Sequence, residues 1–158
     1  MKSLPLATCA IALLVTWSAL APEAKPDTRR TCKPTLPGSR VPGYRPGAPV
    51  RSSVGKGHIL VGIVRSSRSC APIAHARLEL FQAGPKGYSV PPSWAGRATV
   101  FTRRDGSYRF ESPVPNAYAG RPHIHVRASA RRFRAVFSVH ELRRDETRGR
   151  LDLILRPS

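Results

Sequence analysis

Within eight positions, the segment Tyr118-Ala119-Gly120-Arg121-Pro122-His123-Ile124-His125 sets one phenol and two imidazoles. An extended strand projects alternate residues to the same side, so His123 and His125 share one face while Ile124 and Val126 take the other. Two imidazoles on one rigid face are half of a metal site. A phenolate just upstream is a hard, anionic oxygen donor and narrows the ion toward a hard one such as Fe(III). Each residue also has a plainer reading. Tyr118 would cap a sheet edge, and the two histidines would be surface residues or a pair for Zn(II) or Cu(II). Zinc would want a carboxylate or thiolate nearby, and the chain holds only 9 acidic residues.

The elements that must position this pair are short strands. Turn residues recur and no stretch keeps a helical period. Residues 58–64 read as a buried strand. Residues 76–82 alternate, with Leu78 and Leu80 opposite Arg77, Glu79 and Phe81. Strands over 97–102 and 107–111 flank Arg103-Arg104-Asp105-Gly106, where Asp-Gly signals a hairpin. Further strands are expected over 123–129, 134–140 and 150–156. About seven such strands predict an all-β sandwich. Tyr108, alternating with Phe110, belongs to its core. Residues 83–96 make a longer loop than a hairpin needs and carry Tyr88. Long loops on a sandwich often carry function, although Tyr88 alone reads equally well as an aromatic packed over the sheet. His58, His75 and His140 receive no role, beyond a plausible place for His140 near the site.

The chain has 158 residues and a net charge of +18. Lys2 precedes an uncharged, apolar run from Ser3 to Pro22, which resembles a secretory leader with Ala19-Leu20-Ala21 as its cleavage site. The expected organisation is a signal peptide over residues 1–21, an extended Pro-rich arm over 22–56 and a sandwich over 57–158. Export, to the periplasm or outside the cell, leaves Cys32 and Cys70 as an even pair in an oxidising compartment, so a disulfide between them is expected. A membrane would be met only through an uncleaved leader. The arginines are scattered over strands and turns and form no basic helix, so nucleic acid is not expected as a partner.

Several motifs stand in order along the chain. They are Gly62-x-Val64, Cys70-x-Pro72-Ile73-x-x-Ala76-x-x-Glu79, Gly84-Pro85-x-Gly87-Tyr88 and Arg97-Ala98-Thr99. Asp105-Gly106-x-Tyr108-x-Phe110 and Pro115-x-x-Tyr118-x-Gly120-Arg121-Pro122-His123-Ile124-His125 follow. This series resembles the intradiol ring-cleavage dioxygenases. It looks closest to short exported members that begin with a Cys-x-Pro-Thr segment, here Cys32-Lys33-Pro34-Thr35. The resemblance implies a prealbumin-like sandwich and a non-haem Fe(III) held by Tyr88, Tyr118, His123 and His125. It implies a catechol-like substrate and O2, with the ring opened between its hydroxylated carbons to a muconate-type diacid. Two phenolates and a hydroxide would cancel the charge of the ion and permit its burial. Tyr118 would leave the ion and take a substrate proton, and Arg121 would stabilise negative charge developing on the ring.

Three positions differ from the family pattern. Gly87 and Tyr88 are adjacent, Pro122 directly precedes His123, and Phe137-Ser138-Val139-His140 replaces a common Thr-Gln-x-Tyr. They leave open a second reading, a catalytically impaired relative that binds metal, an aromatic ligand or an anionic surface.

Overall fold

The computed structural model describes residues 31–38, 43–83, 94–117 and 120–158, and among these residues there is no helix. Eight strands form: β1 (His58–Ser66), β2 (Arg77–Gln82), β3 (Arg97–Phe101), β4 (Ser107–Ser112), β5 (His123–Ala130), β6 (Phe133–Glu141), β7 (Arg148–Arg150) and β8 (Leu153–Leu155). One sheet has the order β4-β1-β7, with β8 also pairing β1, and the other has the order β3-β2-β5-β6. The expected all-β sandwich is therefore what the chain forms. Its core is the meeting of two alternating faces. Leu60, Val64, Tyr108, Phe110, Leu153 and Leu155 come from the first sheet; Leu78, Leu80, Ala98, Ile124, Val126 and Ala128 come from the second.

Two local expectations change in three dimensions. Asp105-Gly106 does form a tight turn: Gly106 has φ 74°, and the Asp105 carboxylate accepts from the Ser107 N–H at 2.9 Å. The turn closes no hairpin, however, because β3 belongs to one sheet and β4 to the other. Thr102 ends β3 by donating to the Ile73 carbonyl at 2.7 Å, and the chain then crosses between the layers. The single strand expected over 150–156 is two, β7 and β8, both parallel to β1. Between them the Asp152 carboxylate takes the Ile63 N–H at 2.9 Å in place of a backbone carbonyl. The Leu151 carbonyl is displaced over Gly62, where any Cβ would collide with it. The same carbonyl accepts from the buried Tyr108 hydroxyl at 2.6 Å, which satisfies the polar end of a core side chain.

The proline-rich segment is docked along its described length. Thr35 donates its N–H to Ile154 at 3.0 Å and Gly38 to Phe137 at 2.9 Å, while Thr99 donates to Pro49 at 2.8 Å and Glu111 to Ser52 at 2.9 Å. The segment thus supplies partners to β8, β6, β3 and β4. Cys32 and Cys70 form the expected disulfide, with Cα atoms 5.3 Å apart. Residues 43–48 lie against part of the outer face of the second sheet and bury its lower row. Glu79 is only 3% exposed there. Its carboxylate accepts from the Tyr44 hydroxyl at 2.8 Å, from Arg127 at 2.8 Å and from Arg77 at 3.1 Å. The Gly47 N–H points to the same carboxylate. Burial would raise the Glu79 carboxyl, but the hydrogen bonds from Tyr44 and Arg127 and the Arg77 charge together hold it below its ordinary value.

Two predictions test this docking. The disulfide closes a separation of 38 residues, worth about 4 kcal/mol on chain-entropy grounds. Replacing Cys32 and Cys70 together by Ser is expected to lower the unfolding free energy in urea by most of that amount. A carboxyl held below its ordinary value stabilises the fold above that value, and the contribution is lost as pH falls through the folded value. Glu79→Gln is therefore expected to cost about 2 kcal/mol at pH 7. The gap between variant and parent should close as pH is lowered below the ordinary carboxyl value of 4.5. Urea midpoints at pH 7 and in acid measure it, and a gap independent of pH would show that the Glu79 charge is not what holds the segment.

Candidate metal centre

β5 alternates as its sequence requires. Ile124, Val126 and Ala128 are fully buried in the core, and His123 and His125 lie on the opposite, outer face. Their Nε2 atoms stand 3.1 Å apart, with the rings nearly perpendicular at 82°. His123 Nδ1 is 2.8 Å from the Arg121 carbonyl. A carbonyl only accepts, so Nδ1 is the donor there, and in the neutral tautomer this selects, Nε2 is the atom left to bind an ion. Burial, reinforced by His123, lowers His125 to about 4, so this imidazole is neutral at neutral pH. Its ring stacks on Phe81 with centroids 4.8 Å apart, and Arg97 lies over the other partner of that stack, 5.3 Å from the Phe81 centroid.

This geometry fits half of a metal site. Two nitrogens at right angles about one ion, each ~2.1 Å from it, stand ~3.0 Å apart. The ring held by the Arg121 carbonyl is the kind of oriented ligand metal sites use. His125 Nδ1 is buried with no hydrogen-bond partner among the described residues, so its orientation comes from the Phe81 stack. Strand pairing builds the floor. Phe81 and Val139 flank His125, and Glu79 and Phe137 flank Arg127 one row below. Tyr44 closes that lower row, 5.2 Å from Phe137 and 6.1 Å from Phe81.

Tyr88 and Tyr118 lie outside the described residues. The described ends of their segments sit at the histidine end of the sheet. Gln82, the last residue of β2, pairs with Ile124, and Gly120 stands three positions before His123. Arg121 is exposed, and its visible service to the site is made through its carbonyl, a role that side-chain reasoning misses. Tyr108 is a core residue, as expected. Tyr44 is a contributor that sequence reasoning passed over, because a lone tyrosine in a proline-rich segment carries no local signal. His75, in a turn at φ 54°, donates its N–H to Thr102 and stands away from the site. His58 and His140 are brought together with Glu146 in a second cluster.

No family model matches the chain, and no curated protein matches it by sequence. Solved structures do match. The dioxygenase domain of a dioxygenase carbohydrate-binding protein fusion from Streptomyces sp. SirexAA-E is 26% identical, with a TM-score of 0.68 over 80% of this chain and 100% of that one. An intradiol ring-cleavage dioxygenase from Tetranychus urticae is 17% identical, with a TM-score of 0.65 over 80% and 96%. Chlorocatechol 1,2-dioxygenase from Pseudomonas putida is 18% identical, with a TM-score of 0.63 over 80% and 73%. The resemblance in the motifs is thus matched in three dimensions, and the chain has the fold of the intradiol ring-cleavage dioxygenases.

Proposed function

We propose that this protein is an exported, Fe(III)-dependent intradiol dioxygenase acting on catechol-type rings, with His123, His125, Tyr88 and Tyr118 as the residues that hold the ion. The observation that carries the reading is the convergence of the His123 and His125 Nε2 atoms to 3.1 Å, on a fold whose solved neighbours are named as dioxygenases. Ferric iron, when bound, supplies the Lewis acid that binds the catecholate and makes its ring reactive toward O2. The overall reaction balances as catechol plus O2 giving the diacid. Both oxygen atoms enter the product, and the bond between the two hydroxylated carbons breaks.

The residues of the chain have separable parts in this reading. The Arg121 carbonyl and the Phe81 stack hold the two imidazoles in place. Val139, 40% exposed beside His125, offers an apolar wall to an aromatic ring. Tyr118 would accept a substrate hydroxyl proton, and the Arg121 guanidinium would stabilise negative charge on the ring. The disulfide supports passage to an oxidising compartment, with residues 1–21 as the leader. The docked segment within 22–56 would then begin the mature chain, and 57–158 would form the sandwich.

One observation favours the second reading, a metal- or ligand-binding relative without turnover. Val139 faces His125 on the outer side and Ser138 pairs with the core-facing Val126, so the polar residue β6 brings to this face is Glu141 opposite His123, and none pairs directly with His125 to position a substrate. The two readings part in one experiment. The chain is supplied with ferric iron, scanned for visible tyrosinate-to-iron absorption and assayed for oxygen uptake with catechol. Catalysis predicts colour together with uptake, a loss of at least ~100-fold in uptake for Tyr118→Phe, and loss of iron for His125→Ala. Colour without uptake selects the second reading, a colourless, iron-free protein overturns the first, and oxygen uptake abolished by Tyr118→Phe overturns the second.

A further inference from the structure

At the same end of the sandwich as His123, but between the sheets, lies a second group of ligand-type side chains. His58 opens β1 on the face that also carries Leu60 and Val64. His140 pairs across the strands with core-facing Ile124. Glu146 comes from the turn between β6 and β7. The His140 Nε2 lies 2.7 Å and the His58 Nε2 3.4 Å from one and the same oxygen, Glu146 Oε1. One ligand atom from each residue falls within 4.8 Å of the others. The two imidazole rings stack, with centroids 5.6 Å apart.

From these three residues we infer a second metal site, for a divalent ion of the zinc class, closing the end of the hydrophobic core.

Two imidazoles and one carboxylate are a set that binds such ions, commonly with a water completing the shell. Two nitrogens and an oxygen at the corners of a tetrahedron of ~2.1 Å bonds would stand ~3.4 Å apart; His58 and Glu146 already stand at that separation, and an ion would replace the 2.7 Å His140–Glu146 hydrogen bond by lengthening it. Without an ion His58 is poorly satisfied. A single carboxylate oxygen serves both rings, one at a long 3.4 Å. The His58 side chain is 0% exposed, and its Nδ1 has no partner among the described residues. An unpaired polar atom in a core is costly. The other carboxylate oxygen is oriented by the Arg143 N–H at 3.1 Å, as the outer partner of a metal ligand would be.

The neighbouring backbone keeps the place clear. Gly149 of β7 packs directly beneath the cluster, and a Cβ there would collide with His140 Nε2 and Glu146 Oε1. The cluster also has an entry side. Glu146 lines a cleft of about 840 Å³ together with Val114, Arg121, Pro122 and Leu142. An ion bound here would tie β1 to β6 and to the 142–147 turn. It would be independent of the His123–His125 pair, which lies on the outer side of β5.

The test uses the tag-free chain, expressed with its own N-terminus, carrying His123→Ala and His125→Ala so that the outer pair cannot bind. After removal of metal with EDTA, Zn2+ is titrated against a chromophoric chelator and thermal unfolding is followed. One Zn2+ per chain is expected, and zinc at 100 times its Kd should raise Tm by roughly 5–10 °C. Adding Glu146→Gln should weaken binding by more than ~100-fold and abolish the Tm shift while leaving the metal-free Tm within a few degrees. His140→Gln gives the same readout if that variant does not fold. No zinc uptake, or uptake untouched by both substitutions, would overturn the inference and leave a hydrogen-bonded plug in the core. Because the outer histidines are absent throughout, the result does not depend on whether they hold iron.

Discussion

Neither sheet of this sandwich is closed, and an open sheet leaves a row of unpaired N–H and C=O groups along each edge. The chain meets that constraint with residues that form no strand of their own. Residues 32–38 lie against β8 and β6, and residues 49–54 lie against β3 and β4. One proline-rich segment therefore supplies backbone partners to an edge strand at each side of both sheets, and the Cys32–Cys70 bond fixes where it starts. Prolines suit this use. They lack the N–H that would otherwise need a partner on the far side, and they stiffen an extended path.

The same segment determines what the outer face of the second sheet can be. An antiparallel sheet commonly leaves one face to water. Here Tyr44, Gly47 and Ala48 cover the part around Glu79 and Thr99, and a carboxylate is buried beneath them. Glu79 tolerates that burial because its oxygens are occupied by Tyr44, Arg77, Arg127 and the Gly47 N–H. Above this polar row come Phe81 and His125, stacked, and then His123 at the sheet end. Order in the imidazole pair thus rests on a packed and neutralised floor rather than on a mobile surface. That kind of support holds ligands in a productive geometry.

Two sets of histidines flank the same end of the molecule on opposite sides of one sheet, and β5–β6 pairing explains how. His125 pairs with Val139 and Ile124 with His140. Neighbouring residues on a strand point to opposite faces, so a shift of one position separates an outward site from an inward one. The inward cluster takes the place of apolar side chains at the end of the core, between Leu60 and the 142–147 turn. In a sandwich of this size, a polar group there has to be paired or coordinated to be tolerated.

What was legible in the sequence was whatever depends on near neighbours. The two-residue period of Leu78–Leu80 and Ile124–Val126 announced strands and their inner faces. It also placed His123 and His125 together, since residues two apart on one strand face the same way. The tight turn at Asp105–Gly106 was legible too, because its carboxylate and its positive φ act within three residues. The cysteine pairing followed from parity together with the expectation of export. Only the tertiary structure decided that β3 and β4 enter different sheets, that the last strand breaks at Leu151–Asp152 over Gly62, and that Tyr44 caps Glu79 from 35 positions away. It also decided that His58 meets Glu146 across 88 residues. Such contacts are set by which layer and edge each strand occupies. That choice minimises exposed edges and core voids over the whole chain, and no short stretch of sequence contains it.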